Sequence, residues 1–412
     1  MLDLQSQLVT YRARWVWTEG RWLENGRVAV AGGRIVAVGT DRQPGEIDLG
    51  DQVLLPGLVN AHTHLEFSKL ERPLPFDRTF ASWIRNVVAW RRGQSDADCR
   101  VAIQQGLDES TLAGVAAVGE ISTRLWDAPL VAGEGAKEGE FGELRSPRIV
   151  VFREVLGLQP EARAPQMAIA RQHVALGPEA NLVAGGERTH WSTGLSPHAP
   201  YSVSRELFAD VVSLAQETHC PVAMHLAETL DELELVYSGT GPLAVLFAEW
   251  GLWKPGQRAG FRSPLEVLEQ LSPLSRVLVI HGNYLGNLEL DYLAGRDQFT
   301  VVYCPRTHAY FQHDRYPLPA FLKRGIRVAL GTDSRASNPD LNLLSEVRHV
   351  ASLYPEVSPT QLIEMATRNG AEALGLGHMF GSIAPNKRAE FCVLPMSSGS
   401  RDPFEAVLQS SP

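Results

Sequence analysis

Eight short apolar runs recur along the middle of this chain, separated by longer helix-like stretches. They are Leu54–Ala61, Val115–Gly119, Ile149–Phe152, Thr193–Ser196, Val222–His225, Val277–His281, Thr300–Cys304 and Val328–Gly331. Runs of this length fit buried strands, and stretches such as Ser204–Thr218 and Asp340–Ser352 fit the helices between them. Strand–helix alternation implies parallel strands joined by right-handed crossovers. Eight such units predict an α/β fold of the (β/α)8 TIM-type barrel kind rather than an open doubly wound sheet. The absence of a Gly-x-Gly-x-x-Gly strand-to-helix turn also speaks against a dinucleotide fold.

The two ends read differently. Tyr11–Trp17 alternates, Gly26–Val30 leads into the turn Ala31-Gly32-Gly33, and Arg34–Gly39 follows. Beyond Phe380, the segments Gly381–Asn386 and Ala389–Leu394 have the same character. Short alternating strands with glycine turns indicate antiparallel pairing. The expected organisation is a small β-sandwich domain built from residues 1–55 and 380–412, and a barrel over 56–379. Two segments look inserted: Gly133–Arg145, rich in Gly and Glu, and the less polar Trp250–Ser272, expected near the barrel mouth.

A net charge of −9 and no Lys/Arg-rich run argue against a nucleic-acid surface. No apolar run reaches the ~18 residues of a transmembrane helix. Cys99, Cys220, Cys304 and Cys392 are far apart and form no Cys-x-x-Cys pair. With no secretory apolar segment at the N-terminus, reduced thiols in the cytoplasm are expected.

In a barrel of this kind the active site lies at the C-terminal strand ends. His62 and His64, spaced i, i+2, project from one face of the first strand and make half a metal site. His225, His281 and Asp333 follow the fifth, sixth and eighth runs. Ser196-Pro197-His198-Ala199-Pro200-Tyr201 follows the fourth, and Arg153-Glu154 and Arg306 follow the third and seventh. A single histidine at a strand end is more often structural than a ligand. Five His or Asp residues at strand ends in one register point instead to a metal site.

On these residues the chain resembles the amidohydrolase superfamily, and within it the cytosine deaminase/chlorohydrolase-like branch that handles amino-substituted heterocycles. Pro56-Gly57-Leu58-Val59-Asn60-Ala61-His62-Thr63-His64, His225-Leu226-Ala227-Glu228 and Met365–Gly375 carry the resemblance. It implies that His62, His64, His225 and Asp333 hold one divalent metal ion per chain, zinc by default and iron as the alternative. It also implies that His281 contacts the attacking water, that Asp333 and His281 accept its proton, and that Glu228 shuttles protons. Binuclear relatives need a bridging lysine or glutamate at the fourth strand, and no lysine lies near Ser196–Tyr201. Glu120 and Glu154 are the remaining candidates to bridge.

The activity so implied is metal-dependent hydrolytic deamination of an aromatic aminoheterocycle, purine- or adenosine-like, with release of ammonia. Hydrolysis of a ring amide or a carbon–halogen bond is the alternative, and a non-enzymatic relative with no need of a free metal site is a third reading. For substrate contacts, Glu66 could accept from ribose hydroxyls or ring N–H groups, or brace His64. His198 is read as a second contact. Arg153 and Arg306 could each fork onto an anionic substrate, or pair with Glu154 or Glu120. Phe80, Trp83 and Trp90 could lid an aromatic ring or pack a core. The loop after the first strand and Cys304–Phe311 resemble members that include aminodeoxyfutalosine deaminases, whose carboxylated substrate would give such an arginine a role. The expected partner is therefore a small aminoheterocycle, with no nucleic acid and no membrane. A homodimer is admitted, although no segment marks an interface.

Overall fold

The computed structural model describes residues 8–124, 126, 146–179 and 191–412. The expected insertion at 133–145 lies outside them. Eight parallel strands form one sheet in sequential order. They are β1 (Leu58–Thr63), β2 (Val115–Ser122), β3 (Arg148–Val155), β4 (Trp191–Pro197), β5 (Val222–Leu226), β6 (Val277–His281), β7 (Phe299–Tyr303) and β8 (Val328–Leu330). A parallel bridge from Thr63 to Asp333 brings the first strand against the segment after the last, closing the barrel. Asn60 locks the same seam: its amide donates to Thr332 Oγ1 at 2.8 Å, and its carbonyl oxygen accepts from Thr332 N at 3.1 Å. Gly331 permits the approach, since a Cβ there would lie 2.9 Å from both the Cβ and the carbonyl oxygen of His62.

Helices outside the strands start where the sequence supplies side-chain acceptors. Ser204 caps Arg205–Thr218, Thr229 caps Leu230–Ser238 and Ser263 caps Pro264–Leu271. Their apolar faces pack on the outward strand residues. Leu207, Phe208 and Val211 join Met224 and Leu226 of β5 in one buried cluster. Each fully buried side chain of that size contributes roughly 1.5–3 kcal/mol, so the strands are held chiefly by this layer.

The terminal strands form two further four-stranded sheets. One holds Val9–Arg12, Arg27–Ala31, Arg34–Gly39 and Ile47–Asp48; the other holds Trp15–Thr18, Arg21–Glu24, Gln52–Pro56 and Phe391–Pro395. Val28 and Ile35 of the first meet Val16, Leu54 and Phe391 of the second in a common core, as two facing sheets require. Phe391 pairs antiparallel with Pro56, so the C-terminal strand completes a sheet begun by the N-terminal ones.

Two expectations change in detail. The run Leu54–Ala61 is not one strand: Gln52–Pro56 belongs to the small sheet and Leu58–Thr63 to the barrel. The chain crosses between them at Gly57, where a Cβ would meet the Cβ of Ala116 at 2.5 Å. Tyr11–Trp17 likewise breaks at Ala13–Arg14, and its halves enter different sheets. A continuous apolar or alternating pattern does not record a change of sheet. Among the described residues no helix is long and apolar enough to cross a membrane, and the four cysteines are free and buried.

Candidate metal centre and substrate cavity

His62, His64, His225, His281 and Asp333 converge at the C-terminal mouth of the barrel. One ligand atom each from His62, His225 and His281 lies within 4.8 Å of the others, and the same holds for His62, His64 and Asp333. The Asp333 Oδ1 atom is 3.6 Å from the Nε2 atoms of both His62 and His64. Both ring nitrogens of His62 and Nδ1 of His64 are buried with no hydrogen-bond partner. In a packed interior such polar atoms are rare, and imidazole nitrogens facing a carboxylate suit zinc or iron. The residues therefore fit a divalent metal.

The surrounding chain fixes these groups. His225 Nδ1 lies 3.1 Å from the carbonyl oxygen of His198, which requires the proton on Nδ1 and leaves Nε2 as a lone pair. Asp333 Oδ1 accepts from Ser334 N and Oδ2 from the Ser337 hydroxyl, at 2.8 and 3.1 Å. His281 and Asp333 both have positive φ, 66° and 56°, unusual for residues with a Cβ. The backbone holds them there: Tyr316 OH donates to His281 O, and Asp333 N donates to His62 O. Strain of this kind, about 1–3 kcal/mol per residue, persists where surrounding contacts over-determine it.

Electrostatics sort these groups by protonation. Burial holds the imidazoles of His64, His225 and His281 well below their ordinary values, keeping them neutral ligands. Burial works against ionisation of Asp333, but its pairing with His62, with His64 and His281 nearby, carries the carboxyl well below the usual range. Glu228 goes the other way. Burial, then the charges of Asp333 and Glu232, push it well above an ordinary glutamate. Its Oε1 lies 3.5 Å from His281 Nε2. A carboxyl kept protonated beside an ionised one is the usual arrangement for acid and base roles at neutral pH.

A cavity of about 360 Å³ opens onto this cluster, lined by His64, His198, His225, Glu228, His281 and Asp333 at its inner end. One face of the helix Phe80–Arg92 supplies a wall: Trp83, Ile84, Val87, Val88 and Arg91. Leu156, Leu158, Phe247, Trp250 and Leu252 complete an apolar outer part. The segment Trp250–Ser272 thus reaches the mouth through its first residues. Of the three aromatic residues after β1, Trp83 lines the cavity, and its Nε1 donates to Ala336 O at 3.2 Å. Phe80 stacks behind it and Trp90 stacks on Phe67.

The expected substrate contacts divide. His198 lines the cavity, with Nδ1 2.6 Å from Ser202 Oγ and with burial pushing its imidazole down to about 3. Arg153 does not reach the cavity. Successive strand residues point to opposite faces; Glu154 faces the cavity, while Arg153 shares a side with Val151 and Val155 and lies near His173 of the surrounding helix Pro160–Glu179. Arg306 does not reach it either, because its guanidinium is taken by Asp340 at 2.6 Å and Glu346 at 2.7 Å. Glu66 is buried outside the cavity lining, where it accepts from Arg91 at 2.7 and 3.1 Å and from Thr123. It therefore braces Arg91, neither His64 nor, directly, a ligand. Arg91 follows no strand-end pattern, because it lies on a helix. Its signal was the i, i+4, i+8 series Trp83, Val87, Arg91.

The profile of the amidohydrolase family matches residues 53–409. The chain belongs to the amidohydrolase family. It is 31% identical over 344 residues to the aminodeoxyfutalosine deaminase of Deinococcus radiodurans, covering 78% of this chain and 73% of that protein. It is 28% identical over 396 residues to a 5-methylthioadenosine/S-adenosylhomocysteine deaminase of Syntrophomonas wolfei, covering 93% and 83%. The fold superposes on that of Helicobacter pylori aminofutalosine deaminase in complex with methylthio-coformycin, with a TM-score of 0.80, 24% identity and coverage of 97% and 95%.

Proposed function

We propose that this protein is a hydrolytic deaminase of adenosine-like nucleosides that carry an apolar or aromatic extension on the sugar. The class includes 5-methylthioadenosine and aminodeoxyfutalosine, the substrates named for its relatives. The observation that carries the reading is the meeting of two features in one cavity. A histidine and carboxylate cluster with a buried glutamate, whose carboxyl burial pushes well above its ordinary value, stands at the inner end, and an apolar wall roomy enough for a substituent beyond the purine stands at the outer end.

His62, His64, His225 and Asp333 would hold one divalent ion, zinc by preference. Such an ion lowers the pKa of water enough to supply hydroxide at neutral pH. His281 and Asp333 orient the attacking water and take its proton. Glu228 gives its proton to the ring nitrogen next to the carbon under attack, which becomes tetrahedral. The proton taken from the water passes to the amino group and ammonia leaves, while the remaining hydroxyl proton returns to Glu228, so one water is consumed and the ring carbon ends as a carbonyl. His198 contacts the ring or sugar from β4.

Reaction in isotope-labelled water tests this reading. The account expects one labelled oxygen in each 6-oxopurine product and one ammonia per turnover. Release of a ring-opened carboxylate or of halide, with no ammonia from any purine, would favour the ring-amide or carbon–halogen alternative.

A further inference from the structure

The cavity contains one carboxylate that the deamination chemistry does not use. Glu154, at the end of β3, lines the cavity with its side chain only 1% exposed, and neither of its oxygens has a hydrogen-bond partner. Two cationic or polar groups stop just short of it: Arg91 Nη1 is 3.9 Å from Oε2, and His198 Nε2 is 3.8 Å from Oε1. Those separations are too long for hydrogen bonds. A buried carboxylate without donors is costly, so the site is built to receive them from something else.

Arg91 is oriented for the same purpose. Its Nε and Nη2 are committed to Glu66 Oε1 at 3.1 and 2.7 Å. Thr123 holds Glu66 from the other side, and the guanidinium lies over the Phe67 ring at 5.1 Å. That leaves Nη1 as the edge turned toward Glu154. Donor and acceptor therefore stand side by side in the cavity wall. A second anion would fit poorly, because Glu66 already occupies two of the guanidinium nitrogens and Glu154 guards the third. A hydroxyl fits well, since it donates to the carboxylate and accepts from the guanidinium at once.

We propose that Arg91 and Glu154 form a donor–acceptor subsite that reads the sugar hydroxyls of the substrate, with Glu66 as the positioning residue that aims Arg91. This inference rests on the nucleoside deaminase reading and adds the means by which the sugar is selected. It also assigns the polar end of the cavity to a neutral polyol and not to a carboxylate.

The test compares the wild type with Glu154→Gln and Arg91→Gln on 5-methylthioadenosine and its 2′-deoxy and 3′-deoxy analogues, with metal content and melting temperature as folding controls. A hydrogen bond to a charged group is worth about a tenfold to hundredfold preference, so the wild type should favour at least one hydroxylated substrate by that much in kcat/KM. Both variants should collapse that ratio toward unity, mainly through KM. Glu66→Gln should weaken it partially, and Glu66→Ala more. A wild type that ignores the hydroxyls, or variants that lower all three substrates in parallel, would overturn the subsite. So would an Arg91-dependent preference for carboxylated nucleosides. Absence of ammonia from all three would instead overturn the deaminase reading itself, and the subsite with it.

Discussion

Glu228 Oε1 lies 3.5 Å from His281 Nε2, with both side chains almost wholly buried and both held by the chain around them. Asn283 donates to Glu228 O at 2.9 Å, and Glu228 N donates to Glu232 Oε2 at 2.8 Å. Burial raises the carboxyl and lowers the imidazole, which favours a protonated acid beside a neutral base. Glu228→Gln keeps the shape and removes the transferable proton. It should lower kcat by about 10²–10⁴-fold while metal content stays at the wild-type level. A variant that loses its metal as well would show that Glu228 is part of the metal cluster and not a proton carrier.

The cluster itself makes a thermodynamic prediction. A metal that binds the folded chain and not the unfolded one stabilises it by about 2.7 kcal/mol at a hundred times its dissociation constant. Chelation should therefore lower the melting temperature of the wild type, and added zinc should restore it. His64→Ala should retain less metal, by about tenfold or more, and its melting temperature should respond little to chelator. Equal responses in the two proteins would place the metal elsewhere.

Arg306 separates a structural from a substrate role. Its guanidinium donates to Glu346, which is fully buried, and to Asp340. Arg306→Met should destabilise the protein by about 3–5 kcal/mol, because it leaves a buried carboxylate unpaired. The fraction that remains folded should keep its KM. A raised KM with unchanged stability would return Arg306 to the substrate.

Glu232 gives a pH dependence with a definite sign. Burial pushes its carboxyl up to about 7, against the pull of the backbone N–H groups of Glu228, Ala227 and Thr229. Its folded value lies above the unfolded value, so between about pH 4.5 and 7 the folded chain holds more protons, and this group's contribution to stability falls as pH rises. The whole effect is at most roughly 3 kcal/mol. In thermal melts the stability of the wild type relative to Glu232→Gln should fall as pH rises from about 5 to above 7, because only the wild type must bury an ionised carboxylate there. A wild type that gains stability over Glu232→Gln as pH rises would mean that the ionised form is the stabilising one.

The sequence exposes what the barrel's own geometry exposes. Parallel strands send their C-terminal ends to one side, so His62, His64, His225, His281 and Asp333 could be placed together by finding where each apolar run stops. His198 follows from the same rule. The rule fails wherever one residue of parity decides the outcome: Arg153 and Glu154 are adjacent at a strand end, and only the register of β3 with its neighbours says which faces inward. It fails again for partners distant in the chain. Arg306 meets Asp340 and Glu346, and Glu66 meets Arg91 on a helix, through tertiary packing that no local pattern encodes. The two small sheets were legible as short alternating strands. Their exchange of chain at Ala13–Arg14 and Gly57 was not, because the apolar pattern continues across each crossing.

The most direct test of the central claim is ammonia release by the metal-analysed protein across adenine nucleosides, carboxylated adenine nucleosides, free purines, pterins and triazines. The account predicts about one divalent metal per chain and ammonia from adenine nucleosides ahead of every other ring class. Full metal with no ammonia from any nucleoside would contradict the deaminase assignment, and protein that holds no metal under any loading condition would contradict the site itself.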